Sequence, residues 1–303
     1  MRILIFGNGQ FAEWYKEILP SKGHTVTIAT NVDICDEAAV QAAITKHEPE
    51  VVINTAAKTN LDWCEQNRLA CFNTNVLGTD TVAEVVQNAG LYLVHISTGC
   101  IQESTTATEV HTEEDPANPT SFYSWSKYWA DQLLLSRTIR SGLKVLILRP
   151  RQPVSGKASN RNALVKMLTF NKFIDTPNSI TVLEDFISIT EQLISRNITG
   201  LYNVANAGVT SPFKIAQLLK EFVSPNLEIQ LISKDELNRM TLAKRIDSVL
   251  DCSKLAALGI TLKTAEERLR EILPQLKADL DAHPEMFMKT KDETIAKLAL
   301  RTS

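Results

Sequence analysis

Five short apolar runs, at residues 2–6, 25–30, 51–54, 92–97 and 144–148, alternate with longer stretches of helical spacing at 11–22, 36–46, 69–89 and 124–141. Nothing else in the chain restricts its fold so strongly. Runs this short, rich in Val, Ile and Leu, read as strands buried on both faces. Strands joined by helices of this length pair in parallel through right-handed crossovers. The prediction is an α/β fold, a doubly wound parallel sheet with helices on both sides. Gly23, Gly90 and Gly142 stand just past three of the helical stretches, where a helix C-terminus favours glycine.

After Pro150 the alternation loosens. A polar stretch through Asn162 leaves the sheet, followed by helical spacing at 163–170, 183–196, 213–223 and 264–276 and a strand-like run at 201–204. Residues 1–152 are therefore expected to form the main domain and 153–275 a smaller C-terminal lobe, with 178–205 returning to the sheet. Residues 276–303 read as a helical tail, charged and loosely packed over 290–300.

Composition excludes several classes of function. Of 303 residues 44% are hydrophobic and 22% charged, and 32 basic against 35 acidic residues give a net charge of -3, with no basic field for nucleic acid. No run approaches the ~18 apolar residues of a membrane span. The N-terminus enters a strand without a signal peptide, so a cytoplasmic enzyme is expected. The five cysteines include no C-x-x-C pair and no metal-ligand spacing, which predicts reduced thiols and no metal.

Average usage would give about 21 glycines; this chain has 11. Two of them fall in Gly7-Asn8-Gly9-Gln10-Phe11-Ala12, directly after the first strand and opening the first helix. This is the Rossmann-type dinucleotide pattern: Gly7 makes the tight turn, Gly9 lets a pyrophosphate approach the backbone, and the helix N-terminus faces the phosphates. A bare strand–helix turn reads the same, but position and context favour the dinucleotide. Where an NAD-binding protein carries an acid after its second strand, this chain has Ala29, Thr30 and Asn31, which points to NADPH over NADH. Asp33 lies beyond, at the adenine end.

Tyr123 and Lys127 stand one helical turn apart, and no other tyrosine here has a lysine four residues on. A lysine ammonium at that distance lowers a phenol's pKa by stabilising the phenolate. Such pairs also arise by accident on solvated helices. Thr98, just after the fourth strand, adds a hydroxyl where a carbonyl over the cofactor could receive a hydrogen bond. A hydroxyl, a phenol and an ammonium converging on one oxygen polarise and protonate a ketone.

These features resemble the extended short-chain dehydrogenase/reductases. Residues 51–57, the segment Asn73-Thr74-Asn75-Val76-Leu77-Gly78-Thr79 and the Tyr123/Lys127 pair fit the larger group. Six further segments resemble the nucleotide-rhamnose synthase/epimerase-reductases of its dTDP-4-dehydrorhamnose reductase-like branch: Leu61-Asp62-Trp63-Cys64-Glu65, Ser97-Thr98-Gly99-Cys100-Ile101, residues 121–124, residues 148–155, Asn160-Arg161-Asn162 and residues 178–183. The resemblance implies conversion of a UDP- or dTDP-4-keto-6-deoxyglucose to nucleotide-L-rhamnose with NADPH. The nucleotide sugar is the expected partner, with a homodimer as one open form of self-association.

Residue by residue, the resemblance implies Thr98, Tyr123 and Lys127 for reduction and Cys100 and Lys166 for 3,5-epimerisation. Gly7, Asn8, Gly9, Gln10, Phe11, Asp33, Ala56, Ala57, Asn75, Tyr123 and Lys127 would meet the cofactor. Cys100, Arg151, Asn162 and Arg245 would meet the sugar nucleotide. Taken alone, Cys100 is equally a small buried hydrophobe, Lys166 a solvated residue, Arg245 a surface arginine, and Arg149 and Arg151 structural ion-pair partners. The glycine turn departs from the family by one residue and lacks its last glycine. A reductase relying on a separate epimerase and a non-catalytic dinucleotide-binding subunit are the alternatives; the joint presence of the five reacting residues favours the bifunctional enzyme.

Overall fold

The computed structural model describes residues 1–302, with side chains through Thr294. Six strands form one sheet in the spatial order Gly200–Val204, Val145–Pro150, Tyr92–Ile96, Val51–Asn54, Arg2–Phe6, Thr25–Ala29. Every pairing is parallel. The fold is a Rossmann-type doubly wound sheet, and its order reverses between the first and third strands, where such sheets bind ligands beyond their carboxyl ends.

Alternate side chains of each strand feed opposite faces. Ile3 and Ile5 join Val51 and Ile53 in a core closed by helices Gln10–Ile18 and Leu183–Ser195. Leu4 and Phe6 join Val52 and Leu93 in a second core closed by Glu37–His47, Gly78–Asn88 and Phe122–Ser141. A third core, built on Leu164, Phe173, Ile215, Leu269 and Leu273, belongs to the later chain and joins helices Pro212–Phe222 and Ala265–Ala282.

Three features depart from the sequence pattern. Helix Leu61–Gln66 stands where no helix was expected, capped by the Asn60 side chain on the Trp63 N–H at 3.1 Å. The helix expected over 69–89 runs through a π-helical turn, Asn73–Leu77, which re-aims Asn75. The tail expected to be loose forms helix Pro284–Thr302, docked beside helix Ala163–Met167. Thr290 is buried in that contact, Phe287 packs on the third core, and Thr294 meets Thr169 at 3.2 Å. These residues recur at one-turn spacing, but two are threonines, so an apolar pattern undercounts the face. Among the described residues no helix is long and apolar enough to cross a membrane.

Candidate active site

Gly7 leaves the first strand at φ +97°, and a Cβ there would lie 2.6 Å from Thr55 Oγ1 and 2.7 Å from the Ala56 backbone nitrogen. Only glycine passes between the first and third strands at that point. Gly9 serves a different purpose: it caps helix Gln10–Ile18 in extended conformation, with nothing within 4 Å of where its Cβ would stand. The Gln10 Nε2 beside it is a buried donor with no protein partner. An open glycine at a helix N-terminus next to an orphaned donor fits the pyrophosphate of a dinucleotide.

The other residues expected at the cofactor divide. Ala56 and Ala57 follow the third strand half-buried at the same edge, the Ala56 N–H held by Asn54 Oδ1 at 3.1 Å. Asp33 is exposed and accepts the Cys35 N–H at 2.9 Å. Asn8 gives its carbonyl to the Arg161 guanidinium at 2.7 Å. Phe11 turns its ring edge-on to Phe186, 5.1 Å between centroids, so its side chain serves the sheet core. Asn75 is fully buried, its amide bridging the Lys58 N–H (2.7 Å), the Lys58 carbonyl (3.0 Å) and Ser126 Oγ (2.9 Å). It thus acts as a strut between the Ala56–Lys58 loop and the helix bearing Tyr123.

Pairing with the fifth strand continues past the end of the fourth, through Ser97 N–H to the Leu148 carbonyl and Gly99 N–H to the Pro150 carbonyl, both 2.8 Å. Thr98 is held between them, its Oγ1 accepting the Cys100 N–H at 3.1 Å. Tyr123 sits in the first turn of helix Phe122–Ser141, where the Ser121 hydroxyl caps Ser124 N–H and the Glu65 carboxylate takes Phe122 N–H at 2.6 Å. The Thr98 side chain stands beside the phenol. Burial pushes its pKa above the ordinary phenol value and the nearby Cys100 sulfur adds to this, against the downward pull of Thr98. The buried Lys127 donates to the Ile96 carbonyl at 2.8 Å and meets His95 Nε2 at 3.0 Å.

Burial lowers Lys127 to about 8, against the upward pull of Asp131. Burial, with the Lys127 charge beside it, also holds His95 well below the ordinary histidine range, so the imidazole is neutral and Nε2 is the acceptor. The expected depression of the phenol by a neighbouring ammonium is therefore absent from the resting chain. The ammonium is engaged by His95 and Ile96, and burial prevails at Tyr123.

Cys100, half-buried beside Thr98, packs with Cys64, Cys71 and Tyr123. Its sulfur accepts Arg151 Nη1 at 2.8 Å. Lys166 lies half-buried on helix Ala163–Met167 in the smaller lobe. Asn162, expected at the substrate, is fully buried: it caps that helix through Leu164 N–H (3.1 Å) and donates to the Ser155 and Lys157 carbonyls, both 2.8 Å. Arg245 pairs with Asp62 at 3.0 Å. The structure thus brings Thr98, Cys100, Tyr123 and Arg151 to one sheet edge and gives Asn162 a structural task.

Sequence reasoning passed over His95, Glu65, Asp62 and Arg161. His95 carried a signal, an imidazole inside an otherwise apolar strand. The other three reach Phe122, Asn8 and Arg245 across more than 50 residues of sequence, which no local pattern announces.

Residues 1–278 match the family model described as the RmlD substrate binding domain. The chain belongs to that family. It is 31% identical over 292 residues to the bifunctional dTDP-4-dehydrorhamnose 3,5-epimerase/dTDP-4-dehydrorhamnose reductase of Arabidopsis thaliana, covering 92% of this chain and 95% of the relative. A trifunctional UDP-glucose 4,6-dehydratase/UDP-4-keto-6-deoxy-D-glucose 3,5-epimerase/UDP-4-keto-L-rhamnose-reductase of the same plant is 33% identical over 231 residues. That alignment takes in 73% of this RmlD-family chain and 34% of the much longer relative. The solved UDP-rhamnose synthase L780 of Acanthamoeba polyphaga mimivirus superposes with a TM-score of 0.83 at 27% identity, over 91% of this chain and 99% of that one.

Proposed function

We propose that this chain is a bifunctional 3,5-epimerase/4-reductase that converts a UDP- or dTDP-4-keto-6-deoxyglucose to nucleotide-L-rhamnose. The observation that carries the reading is the cluster at the end of the fourth strand, where the Thr98 and Tyr123 side chains come together and Cys100 stands beside both. A ketone oxygen taking hydrogen bonds from Thr98 and Tyr123 becomes electron-poor, and the protons on its two neighbouring carbons become acidic. Cys100 is placed to exchange one of those protons from one face, with Lys166 assigned the other. In the reduction Tyr123 donates its proton to the C4 oxygen, and Lys127, engaged through His95 and Ile96, keeps the helix face and its charge in place.

A nicotinamide bound beyond Gly7 and Gly9 supplies the hydride. NADPH is the assigned form, because Ala29, Thr30 and Asn31 present no carboxylate to a ribose 2′-hydroxyl. The five cysteines, all without disulfides, suit the cytoplasm. For self-association we assign the exposed strip Leu69, Leu77, Trp125 and Trp129 along neighbouring helices, with a second copy as occupant. Sedimentation then reads two chains, and one chain removes that assignment.

Incubation with each nucleotide ketosugar and NADPH should oxidise the cofactor. Cys100→Ser should slow epimerisation more than tenfold while sparing reduction of an already epimerised ketosugar. Equal loss of both steps removes Cys100 from the epimerase role. Cofactor oxidation with no epimerisation leaves a plain 4-reductase, and no oxidation with either nucleotide leaves a binding subunit.

A further inference from the structure

Arg149 and Arg151 stand two residues apart and are both buried, 2% and 5% exposed. Arg149 has a carboxylate partner, Nε lying 2.9 Å from Asp131 Oδ2. Arg151 has none within 4 Å among the described residues. Its Nε donates to Asn178 Oδ1 at 2.8 Å, Nη2 to the Ile246 carbonyl, and Nη1 to Cys100 Sγ at 2.8 Å. The nearest acid in this network, Asp247, is reached only through the Asn178 amide and already pairs with Lys234 at 2.8 Å. A guanidinium stays charged under all ordinary conditions, and a buried charge without a counter-ion is costly. Of the three acceptors around Arg151, only the Cys100 sulfur can become an anion.

We propose that Arg151 is a positioning residue for epimerisation: its guanidinium holds the Cys100 sulfur as the thiolate that takes the proton from the carbon beside the ketone. The C–H bond breaks, the proton forms the S–H bond, and the electron pair moves onto the C4 oxygen as an enolate hydrogen-bonded by Thr98 and Tyr123. Reprotonation from the opposite face inverts the centre. Arg151 also fixes where the sulfur lies, because Asn178 and Ile246 hold its other two nitrogens while the Thr98 hydroxyl holds the Cys100 backbone. Three of the five guanidinium N–H groups donate to protein atoms, which fixes the arginine against Cys100.

The catalytic part of this proposal rests on the epimerase reading above; the thiolate itself does not. Two readouts separate them. The first is site-resolved alkylation of Cys100 by iodoacetamide at pH 7 in the holoenzyme, which reports thiolate without any turnover. Arg151→Met should slow it at least tenfold, and Arg151→Lys, which keeps a charge, should recover part of the rate. The second is deuterium uptake from D₂O at C3 and C5 of the ketosugar, measured beside the reduction of an already epimerised ketosugar.

Arg151→Met should depress uptake at least tenfold more than it depresses reduction, and Arg151→Met with Cys100→Ser should be no slower than Cys100→Ser alone. An unchanged alkylation rate overturns the proposal. So does a rise in KM shared by both reactions, the mark of a substrate ligand. Slowed alkylation in an enzyme whose wild type takes up no deuterium keeps the thiolate pair and removes only the epimerase reading.

Discussion

Thr98, Tyr123 and Lys127 are presented by a parallel strand end and a 20-residue helix packed on the sheet core. Lys166 and Asn162 lie on or at the start of a five-residue helix of the smaller lobe and Arg245 in a connecting segment, held by side-chain bonds such as those of Asn162 and the Arg245–Asp62 pair. The first region fixes its groups by backbone pairing, which hardly depends on which polar side chains surround it. The second fixes them by individual polar contacts, each removable by one substitution. Cys100 stands at the joint, its backbone on the sheet edge and its sulfur on Arg151. The difference assigns reduction to the rigid region and divides epimerisation between the two.

Substitutions in each region sharpen the contrast. Tyr123→Phe removes the proton donor of the rigid region and should lower NADPH oxidation by ~10³-fold. Deuterium uptake at C3 and C5 should fall much less, and an equal fall would erase the division of labour. Asp131→Asn leaves Arg149 as an uncompensated buried charge beneath the same helix and should cost about 3–5 kcal/mol in urea unfolding. A cost below about 1 kcal/mol would mean that the sheet region does not depend on this pair.

The depressed Lys127 gives a pH signature. Below about 8 its ammonium is intact; above, it is lost. Reduction should therefore decline as pH rises through about 8, approaching roughly tenfold per pH unit beyond it, and Lys127→Arg, which keeps its charge, should flatten that limb. The sign for stability is the reverse: between about 8 and the ordinary lysine value the unfolded chain binds the proton and the folded chain does not, so this group favours folding increasingly as pH rises. A reduction profile flat across pH 7–9 would contradict the burial of Lys127.

The smallest effect belongs to the second region. Asn162→Asp keeps the helix cap but removes the amide that donates to the Ser155 and Lys157 carbonyls, and should cost about 1–3 kcal/mol, read as a lower Tm, with uptake of deuterium reduced through the loosened Lys166 helix. A large rise in substrate KM without loss of stability would return Asn162 to the substrate-contact role expected from the sequence.

Sequence and structure agree where local pattern decides geometry. The strand runs, the Gly7/Gly9 turn and the Tyr123/Lys127 spacing are all set by residues within a few positions of one another. The roles of Arg151, Asn75 and Arg245 were not legible, because each depends on a distant partner, and that of Asn162 was not because its cap and loop bonds, though local, follow no repeating pattern. Arg151 reaches Asn178 and Ile246, Asn75 reaches Ser126, and Arg245 reaches Asp62. Tyr123 shows the same limit in energetic form: spacing put an ammonium beside it, whereas folding buried the phenol and gave the ammonium to His95.

The most direct test is a single turnover series in D₂O with NADPH and each of the two nucleotide 4-keto-6-deoxyglucoses, the product resolved by NMR. The account predicts nucleotide-L-rhamnose carrying deuterium at C3 and C5 and protium, delivered from the cofactor, at C4. A 6-deoxyhexose with C3 and C5 uninverted and unlabelled, or no oxidation of NADPH with either substrate, would contradict it.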